Sequence, residues 1–429
     1  MKHRIAIIGA GFSGLSVATF LDKTKFDITL FESSPKIGGR AFSYQDPIQN
    51  IHIDNGQHMM MGCYTYTLKL FNALKCLDDL YIQNRMHISY QTRYGSYTFK
   101  AMRMLPAPLH LLYSMLADIK PLSLKERFGL LIPSLSLLLP LKKRLKDVSV
   151  LDWLKQCKQS DKAIRFIWEP IAVGTMNDTL DQLSAYTFKH ILHILFIQNA
   201  KNPSVILSKY GLTELLERAI KPLSGDITFR FERIQSIEEE PENYALKTSN
   251  AYYHFDYIVS TVPYFQWNKL YPKKQFHLKT TSIFSIHFIC TKDLFDAPFI
   301  GLPESWLQWI FKRDAFTEEQ SHIYSCVISA AEHYLPTERS KIKNLFLKEI
   351  KHLFSVTSEE IPFIKMIHEK RATFSDSVQQ KPERPQPGFV DKNLLIAGDW
   401  TDTQLPATIE SACKSGFLVA QQLNKLSRY

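Results

Sequence analysis

The sequence is poor in the features that mark a disulfide-stapled, metal-bound or membrane-spanning chain. Its six cysteines, Cys63, Cys76, Cys157, Cys290, Cys326 and Cys413, lie far apart with no CxxC spacing. That spacing argues against zinc, a redox pair or a disulfide framework, so no metal site is expected and a reducing cytoplasm is the simple reading. No uncharged stretch reaches the roughly 18 to 20 residues needed to span a bilayer. Lys2 and Arg4 precede an apolar run too short for a signal peptide, so the mature chain is expected to start near Met1. Internal repeats and low-complexity tracts are missing. So are a nucleic-acid motif and an interleaved basic–aromatic platform, and nucleic acid is not an expected partner.

What is present is the composition of a folded protein, 45% apolar and 22% charged over 429 residues. That length exceeds one ordinary core, so two domains, interleaved or consecutive, are expected. The net charge of +10 suits an anionic surface. Two apolar segments, Met104 to Ala117 and Phe128 to Leu141, point the same way. The second is broken by Pro133 and Pro140 and followed directly by Lys142, Lys143, Arg144 and Lys146. Such segments lie in a membrane interface or guard the mouth of a lipid-binding tunnel, which predicts peripheral contact with the inner face of the cell membrane.

The stretch from Arg4 to Arg40 organises the rest. Ile5 to Ile8 reads as a buried parallel strand, and Gly9, Gly11 and Gly14 follow it. In a strand–turn–helix unit these glycines permit the tight turn, the approach of a pyrophosphate and the packing of helix on sheet. The pyrophosphate then sits at a helix N-terminus, where free N–H groups and the dipole favour negative charge. Leu15 to Asp22 reads as that helix. Asp27 to Phe31 reads as a second strand ending in Glu32, placed to bind a ribose hydroxyl and repel a 2′-phosphate. Gly38-Gly39-Arg40 suits a second approach to the same pyrophosphate.

Further on, IHIDNGQHMMMGCY breaks from alternation into a polar turn, Asp54 to His58, read here as lining a site. From Tyr66 to about Ala200 the pattern is mostly helical, cut by prolines and interrupted at Trp168-Glu169-Pro170 and Gly174 to Leu183. This is an apolar insert that implies a hydrophobic cavity. Leu207 to Ala219 is a loop and an amphipathic helix, and Ile227 to Ile237 alternates as a strand. Tyr252 to Val259 is another strand, running into a turn at Ser260 to Pro263. Ser282 to Cys290, Trp306 to Phe311, Tyr324 to Ala331 and Ile361 to Thr373 read as a second sheet, with a helix over Pro336 to Phe354. Lys381 to Gly388 is a proline-rich linker. It leads to a buried strand, Leu394 to Ala397, then Gly398-Asp399, and a loop with Pro406 that opens a helix near Ala407.

Several of these motifs carry a resemblance. ESSPKIGGR after the glycine turn resembles the opening of flavin enzymes of the amine oxidase and phytoene desaturase superfamily. DNGQH followed by Gly62 and Tyr64, the LQWIF strand, the RAT stretch at Arg371 to Thr373 and the closing AGDWTDTxLPATIExAxxSG pattern resemble its hydroxysqualene dehydroxylase branch. One departure is Ser411-Ala412-Cys413, where a Gly is commoner after the Glu. The resemblance implies an α/β fold, with a Rossmann-like FAD-binding domain from 1–70, 205–263 and 388–429 and a substrate domain from 71–204 and 264–387. It implies FAD held by Gly9, Gly11, Gly14, Glu32, Gly38, Gly39 and Arg40. Gly56 and Gln57 would lie by the flavin ring, Ile234 by the adenine, Gly398 and Asp399 by the ribityl chain, and Pro406, Ala407, Thr408 and Ile409 at the N1/C2=O edge.

The implied reaction removes an allylic hydroxyl from an apolar C30 isoprenoid alcohol, hydroxysqualene, to give squalene. His58 and Asp54 are the candidate proton donors, with Arg371 or Glu410 filling that role or a structural one. There is no second nucleotide fingerprint, so NADPH acting transiently and a redox partner protein are both open as reductant. A carotenoid-type desaturase and, without redox chemistry, a prenyl-protein escort remain alternatives. Nothing in the sequence sets the oligomeric state.

Overall fold

The segment that reads as the first strand forms His3–Ile8, buried from Ile5 onward. It lies at the centre of a six-stranded sheet, parallel to Phe26–Phe31 on one side and to Tyr257–Ser260 on the other. Ile227–Arg230 and Leu394–Ile396 extend the sheet in the same direction, and Gly388–Asp391 closes one edge antiparallel. One face carries the helices Phe12–Phe20 and Ile409–Leu426, whose Leu15, Val17, Val419 and Leu423 share a core with Ile5 and Ile7. On the other face a three-stranded antiparallel sheet packs Ile237, Tyr244 and Leu246 against Ala6 and Ile8. Buried parallel strands flanked on both faces are the reason these segments are continuously apolar. The α/β, Rossmann-like class follows from this arrangement. The structure is a computed structural model describing residues 2–47, 51–102, 104–138, 147–223, 225–241, 243–317, 322–379 and 383–426. Lys142, Lys143, Arg144 and Lys146, and the start of the expected linker, lie outside them.

A second sheet of seven strands runs in the order Phe363–Phe374, Thr280–Ile289, Ile323–Ser329, Gln308–Lys312, Phe299–Leu302, His87–Thr92, Gly95–Lys100. All neighbours are antiparallel except Phe299–Leu302 beside His87–Thr92. Along Thr280–Ile289, Phe284, Ile286 and Phe288 meet Ile342, Phe346 and Ile350 of the helix Arg339–Phe354. The alternate positions, Ser285 and His287 among them, therefore take the opposite face.

Three expectations need correction. The hairpin His87–Lys100 falls within the stretch read as helical: HISYQT and GSYTFK alternate with period two about a turn at Gly95, where φ is +97°. Ile227 to Ile237 and Tyr252 to Val259 are not single strands. Each divides between the parallel sheet and the three-stranded one, the second at Asp256, whose carboxylate accepts the Arg4 N–H at 2.8 Å. Trp168-Glu169-Pro170 does not break its helix. The π-helical turn Ile164–Trp168 runs directly into Glu169–Met176, so the winding changes at Pro170 but the helical course continues. The interruption comes at Asn177, left-handed at φ 54°. Its amide donates to Thr281 Oγ1 at 3.0 Å and Thr373 Oγ1 at 2.8 Å and accepts the Ala330 N–H at 2.7 Å, tying the insert to the seven-stranded sheet. Among the described residues no helix is long and apolar enough to cross a membrane.

Candidate active site

The two glycine turns at the end of the parallel sheet pack on each other. Gly38 donates its N–H to the Ala10 carbonyl at 2.9 Å, and Gly9, Gly38 and Gly39 all have positive φ. Gly14 is a packing glycine: a Cβ there would stand 1.9 Å from the Gly9 carbonyl oxygen. Gly11 is different, since an added Cβ would meet nothing closer than Gly39 Cα at 3.7 Å. Space is thus kept open in front of the helix Phe12–Phe20, whose first turn has neither a side-chain cap nor an acidic residue. Unclaimed N–H groups beside open space suit a pyrophosphate. Glu32 borders this cradle and accepts the Ala10 and Ser34 N–H groups, each at 2.9 Å.

The C-terminal motif arrives at the same place. Arg40 donates one guanidinium N–H to the Ala372 carbonyl at 2.9 Å and another to the Asp399 carboxylate. Gly398 has φ +144° and donates its N–H to Ser415 Oγ at 2.9 Å. The helix begins at Ile409, two residues later than expected, because Thr408 Oγ1 accepts the Ser411 N–H at 3.2 Å as an N-cap while Pro406 and Ala407 stay in the loop. Ser411, at the departure from the family pattern, is fully buried and donates to the Asp399 carbonyl at 3.1 Å. Glu410 anchors a neighbouring helix, accepting the Tyr66 and Thr67 N–H groups at 2.9 Å and the Thr67 hydroxyl at 2.8 Å. Burial pushes its carboxyl pKa up.

Between these ends lies the DNGQH turn. Asp54 closes the strand Ile51–Asp54; its carboxylate accepts the Leu212 N–H at 3.3 Å and faces the buried Arg313 guanidinium at 3.8 Å. Asn55 donates its amide to the Arg40 carbonyl at 3.0 Å. Gln57 Oε1 and His58 Nε2 are buried without a hydrogen-bond partner among the described residues. Burial, and then the charge of Arg40, push the His58 pKa down to about 4, so the imidazole is neutral at ordinary pH.

Opposite the turn, a Cβ on Gly56 would stand 3.0 Å from Ser285 Oγ. Nearby, His287 Nδ1 pairs with Ser325 Oγ at 2.8 Å, and burial followed by the Arg313 charge pushes the His287 pKa down to about 3. Ser285 Oγ, His287 Nε2 and Arg313 Nε and Nη1 are likewise buried with no hydrogen bond from the described residues. Buried polar atoms are costly unless something satisfies them. Their concentration beside the DNGQH turn marks where bound polar groups and water complete the bonding. Together with the open cradle at Gly11, these orphaned atoms fit a flavin dinucleotide.

Sequence reasoning did not single out Ser285, His287, Arg313 or Ser325. The available signal was polar residues at alternate positions of otherwise apolar strands, and a cation directly after WLQWIF. Arg371 is exposed, stacks 3.9 Å above the Phe265 ring, and lines a recess of about 240 Å³ with Arg40, Asp399 and Trp400. Ile234 is buried among Ala6, Ile8 and Phe31 between the two sheets.

A larger cavity, about 820 Å³, opens in the helical insert. Phe99, Leu111, Met115, Ile167, Trp168, Ile171 and Phe196 are among its walls, and among the described residues Ser134 is the one lining residue with a polar side chain apart from the Trp168 indole N–H, which is bonded to Gln159 at 2.9 Å. Met59 and Met61, either side of the first residue after the DNGQH turn's own neighbour, pack against the same apolar cluster as Phe99, Leu111, Ile167 and Trp168. The apolar cluster that walls the cavity thus extends to residues that follow His58 in the chain.

A dinucleotide cradle closed by a C-terminal helix, beside a buried polar zone and an apolar cavity, defines the class of FAD-dependent oxidoreductases. The chain belongs to the flavin containing amine oxidoreductase family, whose profile matches residues 12–424. It is similar to the hydroxysqualene dehydroxylase of Zymomonas mobilis, with 25% identity across 96% of both chains. It is also similar to the chloroplastic/chromoplastic zeta-carotene desaturase of Arabidopsis thaliana, with 21% identity across 97% of this chain and 84% of that one. Among solved structures, cyclohexylamine oxidase from Brevibacterium oxydans shares the fold, with a TM-score of 0.69 and 13% identity over 100% of both chains.

Proposed function

We propose that this enzyme removes the allylic hydroxyl of hydroxysqualene by reduction, giving squalene. The observation that carries the reading is the apolar cavity of the helical insert, whose walls belong to the cluster against which Met59 and Met61, the near neighbours of His58, are packed. Its apolar lining suits a long neutral isoprenoid, and the likeness to a hydroxysqualene dehydroxylase supports the choice of substrate. Bound FAD in its reduced form supplies the hydride. The chain must then hold the leaving oxygen, deliver one proton to it so that it departs as water, and keep bulk water from the allylic cation.

His58 is the residue best suited to the proton. A neutral imidazole accepts at one ring nitrogen and donates at the other, so it can relay a proton to a bound hydroxyl without carrying a charge in its resting state. Asp54 acts as a positioning residue, because Arg313 and the Leu212 N–H hold its carboxylate and thereby the turn that bears His58. Arg371 is stacked on Phe265 and serves the Arg40–Asp399 recess rather than the reacting carbon. NADPH or a redox partner protein reloads the flavin.

The zeta-carotene desaturase relative supports a second reading, hydride removal from a polyene. The two readings part in one experiment. Reduced enzyme is incubated with hydroxysqualene and the extract examined for squalene, while oxidised enzyme is offered phytoene. Squalene from the first carries the proposal; no squalene but a desaturated product from the second would overturn it.

A further inference from the structure

Seventeen large apolar side chains are exposed among the described residues, and nine of them fall between Met102 and Leu138. Met104 is 92% exposed, Leu124 69%, Leu135 62% and Phe128 58%. Leu124, Phe128, Ile132, Leu135 and Leu138 follow at steps of four, four, three and three along the consecutive helices Leu124–Gly129 and Leu131–Ser136, so they form one outward stripe. Leu130, Pro133 and Leu137 are buried on the other side. A helical course apolar on both faces has a core partner for one and needs a partner for the other.

Leu109, Leu135 and Leu138 belong both to this exposed set and to the wall of the large cavity. The cavity therefore opens through the patch. Exposed Lys120 and Lys125 stand among these residues, and Lys142, Lys143, Arg144 and Lys146 follow Leu138 closely in the chain.

We infer that the Met102 to Leu138 face docks on an anionic lipid bilayer, and that the cavity mouth opens into the lipid so that an apolar substrate enters without crossing water. A lipid surface satisfies both features at once: hydrocarbon takes the leucine stripe and anionic headgroups take the exposed Lys120 and Lys125. A second copy of the chain satisfies only the first, since it would bring Lys120 and Lys125 of two +10 chains against each other. The inference rests on the cavity and its rim, which the proposed reaction also uses. It is tested by binding alone, so its failure would leave the reaction standing.

The test is flotation of the FAD-loaded enzyme with vesicles of phosphatidylcholine and phosphatidylglycerol in equal parts, against vesicles of phosphatidylcholine alone. The enzyme should float with the anionic vesicles and release as salt rises. Replacing Met104, Leu124 and Phe128 together by Ser touches no cavity-lining residue. It should cut flotation at least about tenfold while flavin absorbance is retained. Lys142→Gln, Lys143→Gln and Arg144→Gln combined should weaken binding to anionic vesicles. Flotation of the serine variant equal to the parent's, or no flotation of the parent, overturns the inference. So does a parent dimer that the serine substitutions dissociate, which would assign the face to a second copy.

Discussion

Arg40 and Asp399, 359 positions apart, are joined by a direct hydrogen bond between guanidinium and carboxylate. The bond brings the end of the second glycine turn to the motif that precedes the last helix, beside the cradle that suits a dinucleotide. A charge-assisted hydrogen bond of this kind contributes about 1.5 to 3 kcal/mol. Arg40→Ala should therefore weaken FAD binding by roughly ten- to a hundredfold, read by ultrafiltration and flavin absorbance. Arg40→Lys should recover only part, since Lys cannot serve Asp399 and the Ala372 carbonyl with a planar fork.

The two inner glycines of the first turn should fail in different ways. Gly14→Ala places a methyl 1.9 Å from the Gly9 carbonyl, against backbone that cannot yield, and should give little folded protein. Gly11→Ala meets nothing closer than 3.7 Å and should fold with a melting temperature near the parent's. Its methyl group projects into the pyrophosphate space, so the protein should purify colourless. A yellow, FAD-saturated Gly11→Ala protein would show that the phosphates approach elsewhere.

How much of this was legible depended on how local each cause was. The glycine turns, Glu32 and the closing strand–loop–helix have backbone requirements written within a few residues, and the structure forms them there, with only the start of the closing helix displaced to Ile409. The buried polar zone had no such signature. Ser285 and His287 lie on one strand, Arg313 follows another, and only the register of the seven-stranded sheet and the Asp54–Arg313 approach assemble them. The His87–Lys100 hairpin was missed for a related reason: its alternation is plain, but it sits inside a longer apolar, proline-cut tract whose helical period dominates. The two misjudged strands changed sheets at residues such as Asp256, a decision that tertiary pairing makes.

Acid should destabilise the fold through two histidines. His58 and His287 have folded pKa values of about 4 and about 3, against the ordinary 6.5. Between those limits the unfolded chain binds more protons than the folded one. Stability is therefore complete above pH 6.5 and falls as pH drops towards 4 and then 3. Each pKa unit is worth about 1.4 kcal/mol, so the loss amounts to several kcal/mol. His287→Gln keeps an acceptor or donor for Ser325 and removes one titrating ring. Its melting temperature should fall less steeply between pH 6.5 and 4 than the parent's; parallel curves would contradict the assignment.

His58→Ala should separate binding from chemistry. No atom of His58 holds the glycine cradle or the Arg40–Asp399 pair, so FAD content and absorbance should stay near the parent's. Loss of a positioned proton relay should slow dehydroxylation by about 10²- to 10⁴-fold. Unchanged turnover would remove His58 from the mechanism and direct attention to His287.

The cavity makes the last prediction, on chain length. Ile171 lines it from the helix Glu169–Met176 and is only partly buried, so Ile171→Trp extends a ring into open space instead of overpacking a closed core. If the cavity holds the distal part of a C30 chain, that ring takes the room the far end needs while leaving the end next to His58 unchanged. Turnover of hydroxysqualene should then fall at least about tenfold through a raised KM, in line with the few kcal/mol carried by several buried methylenes. A C15 allylic alcohol, which does not reach the far wall, should be reduced at close to the parent's rate. Equal losses on both substrates would mean that the isoprenoid lies elsewhere and that the cavity serves packing or entry alone.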